Sequence, residues 1–362
     1  MAGQTPTSRR LRSQQGVSLV ELMVSLALGL VLIGGVLSLY LESQQVFRAH
    51  ESLARLQEGG RYALDLMARE IRTAGISPCT SPLTANALVA NPTPWWANTA
   101  SGFLRGGESG AQGLATTGTA AGNHAQGTDS VLVLRASDDE GLYARILQHD
   151  AALGRLRVAN SLATGAATTS TTSSPTPAGT TARIGPRDIA LVCDDASAAL
   201  FQVDTVQAST GVIDYLGSPL NCTTSLGSVD ATCASAASKS FAVGALLVPW
   251  EPGLWYVGVN GSGQRSLYRV ALNPTGSLQP VERVPGVQDL QIQYLTRNRN
   301  NAGALASTWV NASALAGQWA NPALEVAAVR LTLTLQGNPT TTASAPLQRT
   351  FTAVVALRGR QP

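Results

Sequence analysis

The chain has 362 residues, with 25 Lys+Arg against 22 Asp+Glu and a formal net charge of +3. Only 13% of its side chains are charged, about half the usual share for a globular protein. Ala (53) and Gly (35) make up nearly a quarter of it, so length rather than bulky side chains allows one large domain or two modest ones. The charge excess has a single location. Residues 1–16 hold Arg9, Arg10 and Arg12 and no acid, and the rest of the chain balances at 22 basic and 22 acidic groups. No basic patch marks the body, so composition excludes a polyanion footprint and no direct nucleic-acid partner is expected.

Residues 17–41 form an unbroken apolar run of 25 residues with one ionisable group, Glu21. As a helix the run is roughly 37 Å long, enough to cross a bilayer. The basic flank precedes it, which predicts a cytoplasmic N-terminus and an exported remainder. A cleaved Sec signal has the same opening grammar, but the apolar stretch is too long and no small-x-small site follows it at residues 39–45. A carboxylate inside such a run is costly and points to a function by default.

Arg12-Ser13-Gln14-Gln15-Gly16 followed by Val17-Ser18-Leu19-Val20-Glu21-Leu22-Met23-Val24 resembles the class III signal of type IV pilins and pseudopilins. The resemblance implies that a prepilin peptidase cuts after Gly16 and that Val17 becomes the N-methylated mature N-terminus. Most of the family has Phe where this chain has Val17. Glu21, the fifth mature residue, is implied to pair with the N-terminal amine of a neighbouring subunit, because an unpaired carboxylate in a helix bundle seeks a cation. Removal of residues 1–16 would leave a mature chain with no net side-chain charge, so the mildly basic balance belongs to a processing signal. Gly29, Gly34 and Gly35 would permit close helix approach.

Beyond the run, residues 42–76 continue as an amphipathic helix. Val46, Leu53, Leu56, Leu64, Met67 and Ile71 form an apolar stripe. Glu51–Arg55, Arg61–Asp65 and Asp65–Arg69 are i,i+4 neighbours and Glu58–Arg61 is i,i+3; each is worth tenths of a kcal/mol and they describe a solvated face. Gly59-Gly60 predicts a bend, and Gly75 and Pro78 a stop.

Residues 77–362 are expected to form a β-rich head. Residues 80–128 are rich in small and polar residues around Trp95-Trp96. Residues 164–181 hold 11 Ser/Thr in 18 positions and read as a low-complexity loop. Strands are predicted at 131–135, 189–193, 201–207, 243–248, 287–295, 325–335 and 350–357. A hairpin is predicted from 254–259 and 266–272 around Asn260-Gly261-Ser262-Gly263. The fold class is therefore α+β: a long N-terminal helix packed on a mainly antiparallel sheet.

Gly127-Thr128-Asp129-Ser130-Val131, the run from Val284 to Tyr294 and the terminal run from Phe351 to Arg358 are further similar to the PilW-like minor pilins and the J-type pseudopilins. Length and large insertions favour PilW. The resemblance implies a pilus-assembly protein in a minor-pilin complex that primes growth at the tip. Its partners would be other minor pilins, the major pilin, the prepilin peptidase, the inner-membrane assembly platform and the lipid bilayer. It implies a single pass in the bacterial inner membrane with the head in the periplasm. A J-type minor pseudopilin of a type II secretion tip is the alternative within the class, and a membrane-anchored periplasmic binding or adhesion module is the alternative outside it.

Four Cys lie beyond the span, on the oxidising side. They allow three pairings; the short loop favours Cys222–Cys233, worth roughly 3 kcal/mol, which leaves Cys79–Cys193. No CxxC exists and His50, His124 and His149 are scattered, so no metal site is expected. Ser137-Asp138-Asp139-Glu140 and Asp194-Asp195 lack EF-hand spacing and read as acidic turns. The six Trp read as core filling in a chain short of large side chains. No nucleophile elbow, P-loop, dinucleotide fingerprint or HExxH occurs. No catalytic residue and no cofactor is expected.

Overall fold

The computed structural model describes residues 18–75, 78–79, 81–88, 94–108, 115–137, 142–159, 184–229, 233, 236–272, 278–337 and 346–357. The expected leader with Gly16, the expected mature terminus Val17, the acidic run 138–140 and the expected loop at 164–181 lie outside them.

Helix α1 runs from Leu19 to Arg72, 54 residues, or roughly 81 Å. Ser18 caps it: its side-chain oxygen accepts from the Glu21 N–H at 3.2 Å, satisfying one of the first-turn donors that no carbonyl can reach. At the other end the Thr73 N–H bonds back to Glu70 and Ile71. Gly75 then takes φ +73°, and its N–H reaches the Leu134 carbonyl at 2.9 Å, which turns the chain into the head. The glycine pair does not break the helix. A Cβ on Gly60 would lie 2.5 Å from the Phe351 ring, and one on Gly59 3.3 Å from Leu335. The expected bend is a close approach instead, made by two residues with no side chain.

The head strands follow in order. They are β1 (Leu83–Asn86), β2 (Leu104–Gly107), β3 (Ser130–Val133), β4 (Ala144–Asp150), β5 (Arg155–Val158) and β6 (Ile189–Cys193). Next come β7 (Ala198–Gln202), β8 (Thr205–Gln207), β9 (Val212–Asp214), β10 (Ser228–Val229), β11 (Ala236–Ala237) and β12 (Leu246–Pro249). The C-terminal set is β13 (Gly253–Val259), β14 (Arg265–Leu272), β15 (Leu278–Pro285), β16 (Val287–Asn298), β17 (Ala304–Leu305), β18 (Leu324–Gln336) and β19 (Gln348–Ala356). They form an eight-stranded sheet (β1-β7-β6-β12-β4-β5-β9-β8), a five-stranded sheet (β15-β14-β13-β3-β2), a four-stranded sheet (β17-β16-β18-β19) and the small β10-β11 pair. Pairing between these strands is antiparallel except for β1 with β7. The single sheet expected from sequence is thus several sheets.

Side-chain alternation explains the layering. On β13, Trp255 and Val257 point into the core that α1 shares with the four-stranded sheet. Leu254 and Tyr256 point the other way, to meet Leu191, Leu200 and Val248 of the eight-stranded sheet. That sheet's opposite face holds Ile146, Leu156, Val192, Phe201 and Leu247 in a core of its own. Strands such as β6 and β7, buried along their whole length, therefore carry continuous apolar runs. The α1 stripe begins lower than predicted: Leu56, Gly60, Ala63, Met67, Ala68 and Ile71 are buried, whereas Val46 is exposed. The predicted 201–207 strand divides into β7 and β8, because Asp204 leaves the β6 edge and its N–H bonds to Asp214. The expected hairpin of β13 and β14 forms, with Val259 opposite Arg265, and the Asn260 side chain accepts from the Ser262 and Gln264 N–H groups in its turn. Strand β15 is exposed at all but one position, so no apolar alternation announces it.

Candidate functional site

The largest unpartnered feature is the first half of α1. Its first-turn carboxylate is Glu21, the third helical residue after the Ser18 cap, and it lies near the positive end of the helix dipole. Ser18-Leu19-Val20-Glu21 is the spacing of a capping box, a signal in the sequence that hydrophobic periodicity passes over. Leu19, Leu22, Leu26, Leu30, Ile33 and Leu37 are between 54% and 77% exposed. An apolar surface of this length, bare on every side, requires lipid or other helices around it. Gly29, Gly34 and Gly35 have open space where a Cβ would stand, so nothing within the head occupies the small-residue positions.

The second half of α1 is held to the head by a polar clasp inside an apolar contact. Glu70 accepts from Arg269 Nε at 2.6 Å and from Trp255 Nε1 at 2.7 Å. Both members of the ion pair are buried, at 12% and 13% side-chain exposure. Gly253 makes room for it, since a Cβ there would sit 2.7 Å from Glu70 Oε2. Beside it Arg135 pairs with Glu251 at 2.7 Å. These groups line a cleft of about 460 Å³ between α1 and the five-stranded sheet. By contrast the Glu51–Arg55 pair, 2.6 Å long but half to three-quarters exposed, adds little.

Asp129, in the Gly127-Thr128-Asp129 turn, is a joint between two sheets. Its backbone N–H donates to the Leu290 carbonyl and its carboxylate accepts from the Ile292 N–H, both at 2.8 Å. The side chain thus continues, by one bond, the ladder that β3 cannot make with β16. His124 closes the turn from behind. The Thr128 hydroxyl donates to the Ala125 carbonyl, so the His124 ring donates its Nε2 hydrogen to that hydroxyl at 3.0 Å. Burial pushes the pKa of His124 below its ordinary value.

Other sequence candidates find structural places. Cys79 bonds to Cys193 across 6.0 Å between Cα atoms, and Cys222 bonds to Cys233 across 6.1 Å. Asp194 accepts from the Ala196 and Ser197 N–H groups and pairs with Lys239 at 2.7 Å, so its turn is already satisfied. His50 is exposed on α1, and His149 is buried. Trp96, Trp250 and Trp255 lie in the cores, and Trp309 stacks beneath the Arg330 guanidinium at 4.2 Å. Among the described residues no three His, Cys, Asp or Glu side chains gather as a metal-binding group.

Residues 254–358 match the family model of PilW, the type IV pilus-assembly protein W, and residues 11–37 match the prokaryotic N-terminal methylation motif. Over those two stretches the chain is similar to type IV pilus-assembly protein W and to proteins with a methylated N-terminus. No curated protein and no solved structure matches it. The methylation-motif match takes in Arg12, Gly16, Val17, Glu21 and much of the bare apolar run. The PilW match takes in β13 to β19, including Trp255 and Arg269 of the clasp and Phe351 against Gly60. Both matches are to pilin-type proteins, and neither indicates an enzymatic family.

Proposed function

We propose that this protein acts as a minor pilin, joining other minor pilins in a complex that primes filament growth and stays at or near the pilus tip. The carrying observation is α1, whose apolar half is bare on all sides while its other half is clasped to the head. Before assembly the bare half spans the inner membrane, with residues 1–16 cytoplasmic and the head periplasmic. The prepilin peptidase removes those residues after Gly16, and Val17 is methylated. Glu21 then lies one turn below the new amine, at i+4, where it pairs with the terminus of a neighbouring subunit. Pairing lowers the cost of a carboxylate in an apolar bundle and favours the filament over the single chain in lipid. The PilW match supports a pilus over a type II secretion tip.

Mass spectrometry of the protein from piliated cells tests the processing step: a methylated Val17 N-terminus is expected, and an intact Met1 or a cut beyond residue 39 would overturn the reading. Glu21→Ala is expected to leave membrane insertion intact and to reduce piliation. Full piliation by that variant would remove Glu21 from the mechanism.

A further inference from the structure

We propose that the cleft between α1 and the five-stranded sheet is a binding site for a carboxylate carried on an apolar body. Its volume of about 460 Å³ lies in the usual range for small-molecule sites (~300–1,000 Å³). One stripe of α1 forms a wall, with Tyr62, Leu66 and Glu70 on successive turns, and β13, β14 and β15 contribute to the opposite wall.

The charges in the cleft do not cancel. Three guanidinium groups line it, on Arg135, Arg269 and Arg283, against two carboxylates, on Glu70 and Glu251. Glu70 pairs with Arg269 and Glu251 with Arg135. Both Glu70 oxygens are engaged, one by Arg269 Nε and the other by Trp255 Nε1. Arg283 is left over. It is exposed, and among the described residues it makes no hydrogen bond or ion pair. The acid next to it in sequence, Glu282, is committed elsewhere, since its Oε1 accepts from the Ser266 hydroxyl at 2.6 Å.

The backbone delivers Arg283 to this place. Leu267 on β14 pairs with Val284, and Tyr268 pairs with Glu282, so Arg283 is the extra residue of a β-bulge. In a regular strand Glu282 and Val284 would share a face with each other and not with Arg283. Here Val284 enters the core under α1 while Glu282 reaches Ser266 beside Tyr268, on the other face. The bulge breaks the alternation and re-aims a side chain, a device common beside functional sites. The side chain it releases lines the cleft.

This arrangement selects a ligand class. One excess positive charge calls for a monoanion, and the planar guanidinium fork matches a carboxylate. Leu66, Trp250, Pro252 and Leu272 line the same cleft and supply apolar surface for the rest of the ligand. An amine would find both carboxylates taken and a third guanidinium repelling it. The carboxylate can belong to a free acid or to the end of a polypeptide.

The test is saturation-transfer NMR on the full chain in detergent, with phenylacetate, its neutral isostere phenylacetamide, and phenethylammonium as probes. Saturable binding of phenylacetate is expected in the millimolar range, with the amide about tenfold weaker. Arg283→Gln, on an exposed edge strand, is expected to leave the melting temperature unchanged and to bring the acid down to the level of the amide. Arg283→Glu is expected to reverse the preference, toward phenethylammonium. A short peptide ending in Phe separates the two sources: tighter binding than phenylacetate marks a chain terminus as the occupant, and no gain marks a free acid. The proposal is overturned if the folded wild-type protein does not prefer the acid to the amide and the amine. It is equally overturned if either Arg283 variant keeps the wild-type preference.

Discussion

Glu70→Ala is the sharpest test of how the head is fixed to its helix. The substitution removes the acceptor for two buried donors at once, Arg269 Nε at 2.6 Å and Trp255 Nε1 at 2.7 Å. Breaking a buried ion pair from one side costs about 3–5 kcal/mol, because the remaining charge stays buried without a partner. An unsatisfied indole N–H adds about 1–3 kcal/mol when taken alone. The two terms share one carboxylate and overlap, so a net loss of about 4 kcal/mol is the reasonable figure. The other carboxylate that lines the cleft, Glu251, is held by Arg135 at 2.7 Å and cannot take over without breaking a second pair.

For a head of this size each kcal/mol moves the melting temperature by about 2–4 °C, which predicts a fall of roughly 10 °C for the full chain in detergent. Hydrogen exchange should rise along residues 60–72 of α1 before the rest of the head. The double variant Glu70→Ala/Arg269→Met removes the stranded charge as well and should recover most of the loss. A single variant within about 1 kcal/mol of wild type, or a double variant no better than the single, refutes the clasp.

Three further outcomes follow from the same geometry. Gly60→Ala gains about 1 kcal/mol of helix propensity but drives a Cβ to 2.5 Å from the Phe351 ring, so a net loss of about 1–2 kcal/mol is expected; pairing it with Phe351→Leu should restore stability in chemical denaturation, and Gly59→Ala should stay near neutral. Asp129→Ala strands the Ile292 N–H in a buried joint and should cost about 1.5–3 kcal/mol, with faster exchange of that amide by NMR. His149 accepts the Phe241 N–H on Nδ1 at 2.9 Å and faces Tyr215 through Nε2 at 2.8 Å, so it is held neutral, and burial lowers its pKa. The unfolded chain therefore takes up the proton first: this contribution is whole above about pH 6.5 and is lost as pH falls toward the folded value. Melting temperature should drop between about pH 7 and 5, and His149→Asn, which keeps an acceptor near Nδ1, should flatten that slope.

What the sequence shows most clearly is what is contiguous. The basic residues, Gly16, Glu21 and the apolar run are read within 41 residues, because the motif they form is contiguous and needs no fold to bring it together. Alternation in β16 and β18 is equally plain, since each of them has one face in the core under α1. The clasp is not legible: Glu70 and Arg269 are 199 residues apart, and a glutamate flanked by Arg69 and Arg72 reads as part of a solvated face. Gly59-Gly60 misleads because propensity scores the helix alone, whereas the pair is selected by what lies against it. The eight-stranded sheet is legible only in part: the strands predicted at 189–193, 201–207 and 243–248 fall on β6, β7 with β8, and β12, whereas β1, β5 and β9 are too short to leave a pattern.

The arrangement separates two tasks along the chain. The strands that α1 packs against, β15, β18 and β19, and the clasp partners Trp255 and Arg269 all fall within residues 254–358. That stretch therefore fixes the angle at which the head sits on its helix, which any helical assembly must hold constant from copy to copy. The eight-stranded sheet is built from residues 83–249, before the PilW match begins, and meets the five-stranded sheet through Leu191, Leu200 and Val248 on one side and Leu132, Leu254 and Tyr256 on the other. A core of that kind transmits position but carries no directional bond to α1. Changes on the outer strands β5, β8 and β9 can then alter the surface of the head while leaving the geometry of α1 alone.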